Sequence, residues 1–116
     1  AGKADFDPTV GWLVCIDGPE RGRDYRLHSE KNFIGRSDEM DICVHGDDAI
    51  SRKEHAVISY NPKKNTFSIQ TGSARGLVYL NDEEVVFEPL KRGDIIELGQ
   101  SKFMFVPFCG EDFMWP

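Results

Sequence analysis

Polar and apolar positions along this chain alternate with a period of two in segment after segment, and none sustains the 3.6-residue period of an amphipathic helix. The pattern predicts short strands separated by turns. Trp12-Leu13-Val14-Cys15-Ile16 is apolar on both faces, as in a strand buried inside a sandwich, and Asp17 to Gly22 supplies the Gly and Pro of a reversal. Tyr25 and Leu27 alternate with polar neighbours in a second strand, and Asn32-Phe33-Ile34-Gly35 gives a short third. Met40 to Val44 is the next, followed by the polar turn His45 to Asp48. His55 to Tyr60 sets Ala56, Ile58 and Tyr60 on one face; beyond Asn61 to Asn65, the run Thr66 to Gln70 alternates cleanly, so the two read as an antiparallel pair. Leu77 to Leu80, Val85 to Phe87, Ile95 to Gly99 and Lys102 to Val106 complete the series, the last two as a hairpin.

At least nine such strands imply an all-β domain, an antiparallel sandwich of two sheets or a closed barrel, because a single open sheet of that size would leave one face wet. Folds of this kind carry function on the loops at one end. Two of those loops attract attention. Phe33-Ile34-Gly35-Arg36-Ser37 and, fifteen residues on, Ile50-Ser51-Arg52-Lys53 each set a cation and hydroxyls beside a strand. Should the two meet in space, they form a small anion socket. The planar fork of Arg36 suits two oxygens of a phosphate dianion and the Ser51 hydroxyl a third. The competing reading is an ordinary ion pair between Arg36 and Asp38, Glu39 or Asp41. A third loop, Thr71 to Gly76, surrounds Arg75 with small residues and leads back toward the same end.

Composition narrows the partners. With 116 residues the chain is one domain by length, and its 40% hydrophobic content is that of a folded protein. The net charge of -6 argues against nucleic acid, which needs a basic face. It would also repel a phosphopeptide at long range, but that field is screened beyond about 8 Å at physiological salt, so Arg36, Arg52, Lys53 and Arg75 decide local affinity. Three cysteines, Cys15, Cys43 and Cys109, are an odd number without zinc-ligand spacing and read as reduced thiols of a cytoplasmic protein, Cys15 and Cys43 as small hydrophobes in apolar runs. No run approaches the about 20 apolar residues that span a bilayer. His28 and His45 lie in polar turns with no Cys or Glu at ligand spacing, so no metal is expected. Ser51 lacks a nucleophile elbow, and no acid, base and nucleophile converge, which leaves neither an enzyme nor a cofactor in view.

The ordered pieces Ile34-Gly35-Arg36-Ser37, Asp41 to Val44, Ile50-Ser51-Arg52, His55 to Ile58, Asn81 and Gly93 to Gly99 resemble the forkhead-associated (FHA) domain, a sandwich that recognises phosphothreonine peptides. The resemblance spans Gly11 to Val106. Residues 1–10, with Pro8 and no periodicity, read as a loose lead-in, 11–107 as the domain and 108–116 as an aromatic tail that packs on the domain or meets a partner. The resemblance implies phosphate binding by Arg36 and Ser51 with Arg52 and Lys53, peptide contacts from Ser37, Ser73, Arg75 and Asn81, and loop shaping by Gly35 and His55. The partner would be a phosphothreonine-containing protein in Ser/Thr kinase signalling. Two departures stand out. Ser51 and His55 are separated by one residue more than the family's Ser-x-x-His, which should bulge the loop; and Ser73-Ala74-Arg75-Gly76-Leu77 replaces Ser-x-Asn-Gly-Thr, putting Arg75 where the family holds the peptide backbone with Asn. The alternative function is a phosphate-independent scaffold that uses a sheet face or the tail.

Overall fold

The computed structural model describes residues 7–116. Eleven strands run in chain order: β1 Gly11–Asp17, β2 Asp24–Leu27, β3 Glu30–Gly35, β4 Ile42–Cys43, β5 Ala56–Asn61, β6 Thr66–Thr71, β7 Val78–Leu80, β8 Glu83–Glu84, β9 Phe87–Leu90, β10 Ile95–Leu98 and β11 Ser101–Pro107. They form two sheets, ordered β2-β1-β11-β10-β7-β8 and β4-β3-β5-β6-β9. No helix occurs among the described residues, and so none is long and apolar enough to cross a membrane. The all-β sandwich expected from the alternation is therefore the observed architecture, with one exception to its antiparallel character: β3 and β4 pair in parallel, Ile34 with Ile42 and Gly35 with Cys43.

The inward faces explain the register. On β1, Gly11, Leu13 and Cys15 are buried, and on β11 Ser101, Phe103 and Phe105. From the other sheet Ile34, Ile58, Tyr60, Phe67 and Ile69 meet them. Shifting any of these strands by one residue would turn its apolar set to solvent. Tyr25 stands edge-on to Phe103, and Phe67 edge-on to Phe105, the ring arrangement aromatic quadrupoles favour.

Several local expectations need correction. Trp12 to Ile16 is not buried on both faces: Trp12 and Val14 are half-covered and Ile16 is exposed, since these alternate residues of β1 point away from the core, where Phe108 stands edge-on to Trp12. Val85 to Phe87 is not one strand. The chain instead makes β8 at Glu83–Glu84 and β9 at Phe87–Leu90, both sheet edges carrying glutamates and, on β9, Pro89, which defend an open edge but erase its alternation. Of the lead-in, residues 1–6 lie outside the described residues, while Val10 is buried and its amide bonds to the Leu27 carbonyl. The tail folds back beside it: Trp115 Nε1 donates to the Thr9 carbonyl at 2.7 Å, and Phe108, Phe113 and Trp115 stack on one another. Cys109 is buried there.

Candidate functional site: a loop cluster around Arg36 and Ser51

The C-terminal end of β3 delivers Arg36 into a loop that is stitched to the segment ahead of β5. Arg36 N donates to Ser51 O at 3.0 Å, and Ser37 N to Arg52 O at 2.8 Å, so the two expected halves of the socket lie side by side. Their approach demands glycine at position 35: a Cβ there would stand 2.6 Å from the Arg52 carbonyl oxygen. Arg36 Nε donates to the Ile50 carbonyl in a short bond, which orients the guanidinium against the segment that carries Ser51. Both residues are half-buried.

The three acids that competed for Arg36 are all engaged elsewhere. Asp38 lies 3.2 Å from His45, Glu39 3.0 Å from Lys53, and Asp41 accepts the amide of Phe33 at 2.9 Å with His28 on its other oxygen at 3.6 Å. Among the described residues no salt bridge includes Arg36, Arg52 or Arg75. The Arg36 guanidinium is thus oriented by a carbonyl and has no counter-anion among the described residues. Lys53, expected at the phosphate, instead reaches Glu39; the pair is exposed on both sides and is worth at most about 1 kcal/mol, so an incoming anion can compete for it.

His55 ties the cluster together. Fully buried, it accepts the Ser51 amide on Nδ1 at 2.9 Å and stands 2.8 Å from the Leu77 carbonyl through Nε2. A backbone N–H can only donate, so Nδ1 is the acceptor and the proton sits on Nε2. One imidazole therefore links the Ser51 loop to the Arg75 loop. The extra residue between Ser51 and His55 is absorbed by Glu54 at a positive φ of 47°. Its carbonyl then presses on the third loop, where the Ala74 amide lies 3.4 Å from it and a Cβ at Gly72 would come within 1.7 Å. Ser73 and Arg75 are exposed at the tip of that loop.

Two expected contacts are spent differently. The Ser37 hydroxyl accepts the Glu39 amide at 3.2 Å and so shapes its own turn. Asn81 sits in the β7–β8 turn at the opposite end of the sandwich, its amide group donating to Asp94 at 3.1 Å and its carbonyl accepting the Ile95 amide at 2.9 Å. Asn81 is a turn-forming residue, not a member of this loop cluster.

Next to the Arg36 loop lies a group that no local sequence pattern announced. Cys43 is only half-buried, contrary to its reading as a core thiol, because β4 is two residues long and turns its side chain outward. Cys43 Sγ lies 3.2 Å from His45 Nε2 and 3.6 Å from Asp38 Oδ1. His45 Nδ1 faces Glu20 at 3.3 Å, and Glu20 is itself clasped by Tyr25 and Arg23. Asp38, then Glu20, raise the pKa of His45; His45 and then Cys43 lower that of Asp38; partial burial, followed by Asp38, raises that of the Cys43 thiol. The signal available in the sequence was Cys43-x-His45, but Asp38 and Glu20 come from other loops.

These features define a class: an all-β sandwich whose loops present an unpaired arginine beside a serine. The chain belongs to the forkhead-associated family, as its relatives and structural neighbours show. The family model that matches residues 15–108 is described as the inner membrane component of T3SS, cytoplasmic domain. The glycogen accumulation regulator GarA of Mycobacterium tuberculosis is 30% identical over 115 residues, covering 97% of this chain and 68% of GarA. An oxoglutarate dehydrogenase inhibitor of Corynebacterium diphtheriae is 29% identical over 109 residues, 91% of this chain and 73% of that protein. An FHA domain solved in work on phosphothreonine-dependent FHA domain interactions superposes with a TM-score of 0.72 at 27% identity, over 84% of this chain and 95% of its own. Mycobacterium tuberculosis EmbR, solved with a low affinity phosphopeptide, gives the same TM-score of 0.72 and 27% identity over 88% of this chain and 25% of EmbR.

Proposed function

We propose that this domain is a non-enzymatic docking module that binds phosphothreonine-containing segments of proteins modified by Ser/Thr kinases, in a cytoplasmic setting. One observation carries the reading: Arg36 is aimed and half-buried yet has no carboxylate partner among the described residues, although three acids stand within five residues of it. A cation held this way is poised for an anion from outside. In this reading Arg36 takes two phosphate oxygens, Ser51 a third, Arg52 and Lys53 add positive potential at the rim, and Ser73 and Arg75 meet the peptide beyond the phosphate. Where the family offers an Asn to the peptide backbone, the longer cation of Arg75 favours a ligand carrying an acidic side chain or a carbonyl at that point. That the family's solved neighbours include complexes with phosphopeptides supports the same ligand class.

The test is a paired peptide library in which each threonine peptide is presented phosphorylated and plain. Binding to phosphorylated members alone, abolished by phosphatase, is expected. Equal affinity for both members of every pair would instead identify a phosphate-independent scaffold.

A further inference from the structure

We propose that Cys43, His45 and Asp38 form a binding site for a divalent transition metal of the zinc class, adjacent to the phosphopeptide loops. The three ligand atoms Sγ, Nε2 and Oδ1 all lie within 4.8 Å of one another. With Zn–S near 2.3 Å and Zn–N and Zn–O about 2.0–2.1 Å, a regular tetrahedron has S···N and S···O edges of about 3.5 Å and an N···O edge of about 3.3 Å. The observed edges are 3.2, 3.6 and 3.2 Å. Three protein ligands occupy one triangular face of such a tetrahedron, and the fourth position opens to solvent.

The surroundings are those a metal-bound imidazole requires. A ligating histidine donates its other ring N–H to a carboxylate, which sets its tautomer and orientation. Here Glu20 stands 3.3 Å from His45 Nδ1, and is itself fixed by Tyr25 Oη at 2.6 Å and by Arg23 at 2.7 Å. His45 therefore faces a carboxylate on each nitrogen, Glu20 on one side and Asp38 on the other. The negative potential of these two carboxylates favours a cation in the space between Nε2, Oδ1 and Sγ. Metal entry forms Zn–S, Zn–N and Zn–O bonds and releases the thiol proton and any proton on Nε2 to solvent; no oxidation state changes. A thiolate with an imidazole selects zinc, cobalt or copper over magnesium and calcium.

The placement gives the site a consequence. Asp38 belongs to the loop that presents Arg36 and Ser37, and Cys43 Sγ donates to the Arg36 carbonyl at 3.2 Å. A metal joining Asp38 to β4 would pin both ends of that loop.

The experiment is titration of the reduced, whole chain with Co2+ followed by absorbance, and with Zn2+ followed by calorimetry. One equivalent of Co2+ is expected to give the visible bands of a tetrahedral ion and a thiolate-to-cobalt charge-transfer band, both displaced by Zn2+. Cys43→Ser should remove the charge-transfer band, because Cys15 and Cys109 are buried and cannot substitute. Glu20→Gln keeps all three ligands and should weaken Zn2+ by about 10- to 100-fold. His45→Gln, at an exposed position, serves where Glu20→Gln melts early, and should weaken Zn2+ at least as much. A Co2+ spectrum that stays octahedral, a charge-transfer band that survives Cys43→Ser, or unchanged Zn2+ affinity in folded His45→Gln would each overturn the assignment.

Discussion

Replacing Arg36 by alanine isolates the guanidinium from everything else that holds its loop. The backbone bonds from Arg36 N to Ser51 O and from Ser37 N to Arg52 O do not involve the side chain and survive the change. Among the described residues the one side-chain hydrogen bond lost is that from Nε to the Ile50 carbonyl, worth about 1 kcal/mol, so melting should move by no more than about 4–8 °C. Binding should respond far more. Two charge-assisted bonds from the fork to phosphate oxygens contribute about 1.5–3 kcal/mol each, so their removal weakens a phosphothreonine peptide by roughly two to four powers of ten. Arg36→Lys keeps the charge but forfeits both the fork and the Nε bond, and should fall between the two. Fluorescence anisotropy with a labelled phosphopeptide, alongside its plain counterpart, reads these differences directly. Lys53→Ala is the internal contrast, since its side chain is already paired with Glu39, and it should lose less than about tenfold. If folded Arg36→Ala bound the phosphopeptide within about threefold of the parent, the unpaired guanidinium would not be the phosphate's anchor.

Two further outcomes probe the scaffold beneath the loops. Gly72→Ala forces a Cβ to within 1.7 Å of the Glu54 carbonyl oxygen and should cost about 3 kcal/mol or more, seen as a fall in melting temperature beyond about 10 °C; a change under about 2 °C would show that the Glu54 bulge yields freely. Burial pushes the Tyr60 hydroxyl up to about 12 and also raises that of Tyr25, above the value of about 10 expected once the chain unfolds. The folded state then holds protons that the unfolded state has shed, so this contribution is whole below pH 10 and is lost as pH rises through the folded value. Tyrosinate absorbance from these two rings should accordingly appear together with the loss of fold in alkali; ionisation near pH 10 with the fold intact would contradict their burial.

How much of this was legible in the chain varies with the physical signal. Hydrophobic patterning located β1, as an apolar run, and β5, β6, β10 and β11, because each buries a face against the opposite sheet. It failed at β8 and β9, edge strands whose exposed glutamates and proline serve against pairing and leave no apolar face to read. The Arg36 and Ser51 loops could be nominated from residue type, but that they meet depends on Gly35 and on the hydrogen bonds between the two backbones. Whether Arg36 was paired could not be read at all, since Asp38, Glu39 and Asp41 were equally near in sequence and only the fold sends each to another partner. Asn81 misled for the opposite reason: it had the right residue type, but β7 carries it away from Leu77 toward Asp94. Glu20 joined His45 from twenty-five residues away, a separation no local pattern encodes.

Where the ends of the sandwich emerge determines how it can be wired. Val10 and Phe108 are hydrogen-bonded neighbours, and both sit at the pole remote from Arg36, with β1 running the distance between. A seven-residue strand covers about 23 Å, so a phosphothreonine on a flexible extension would need at least about seven extended residues to fold back into its own socket. Shorter extensions can engage only another molecule. A bead linked beside Trp115, which bonds to Thr9 at that pole, would by the same geometry hold the domain with its reading loops facing the solution.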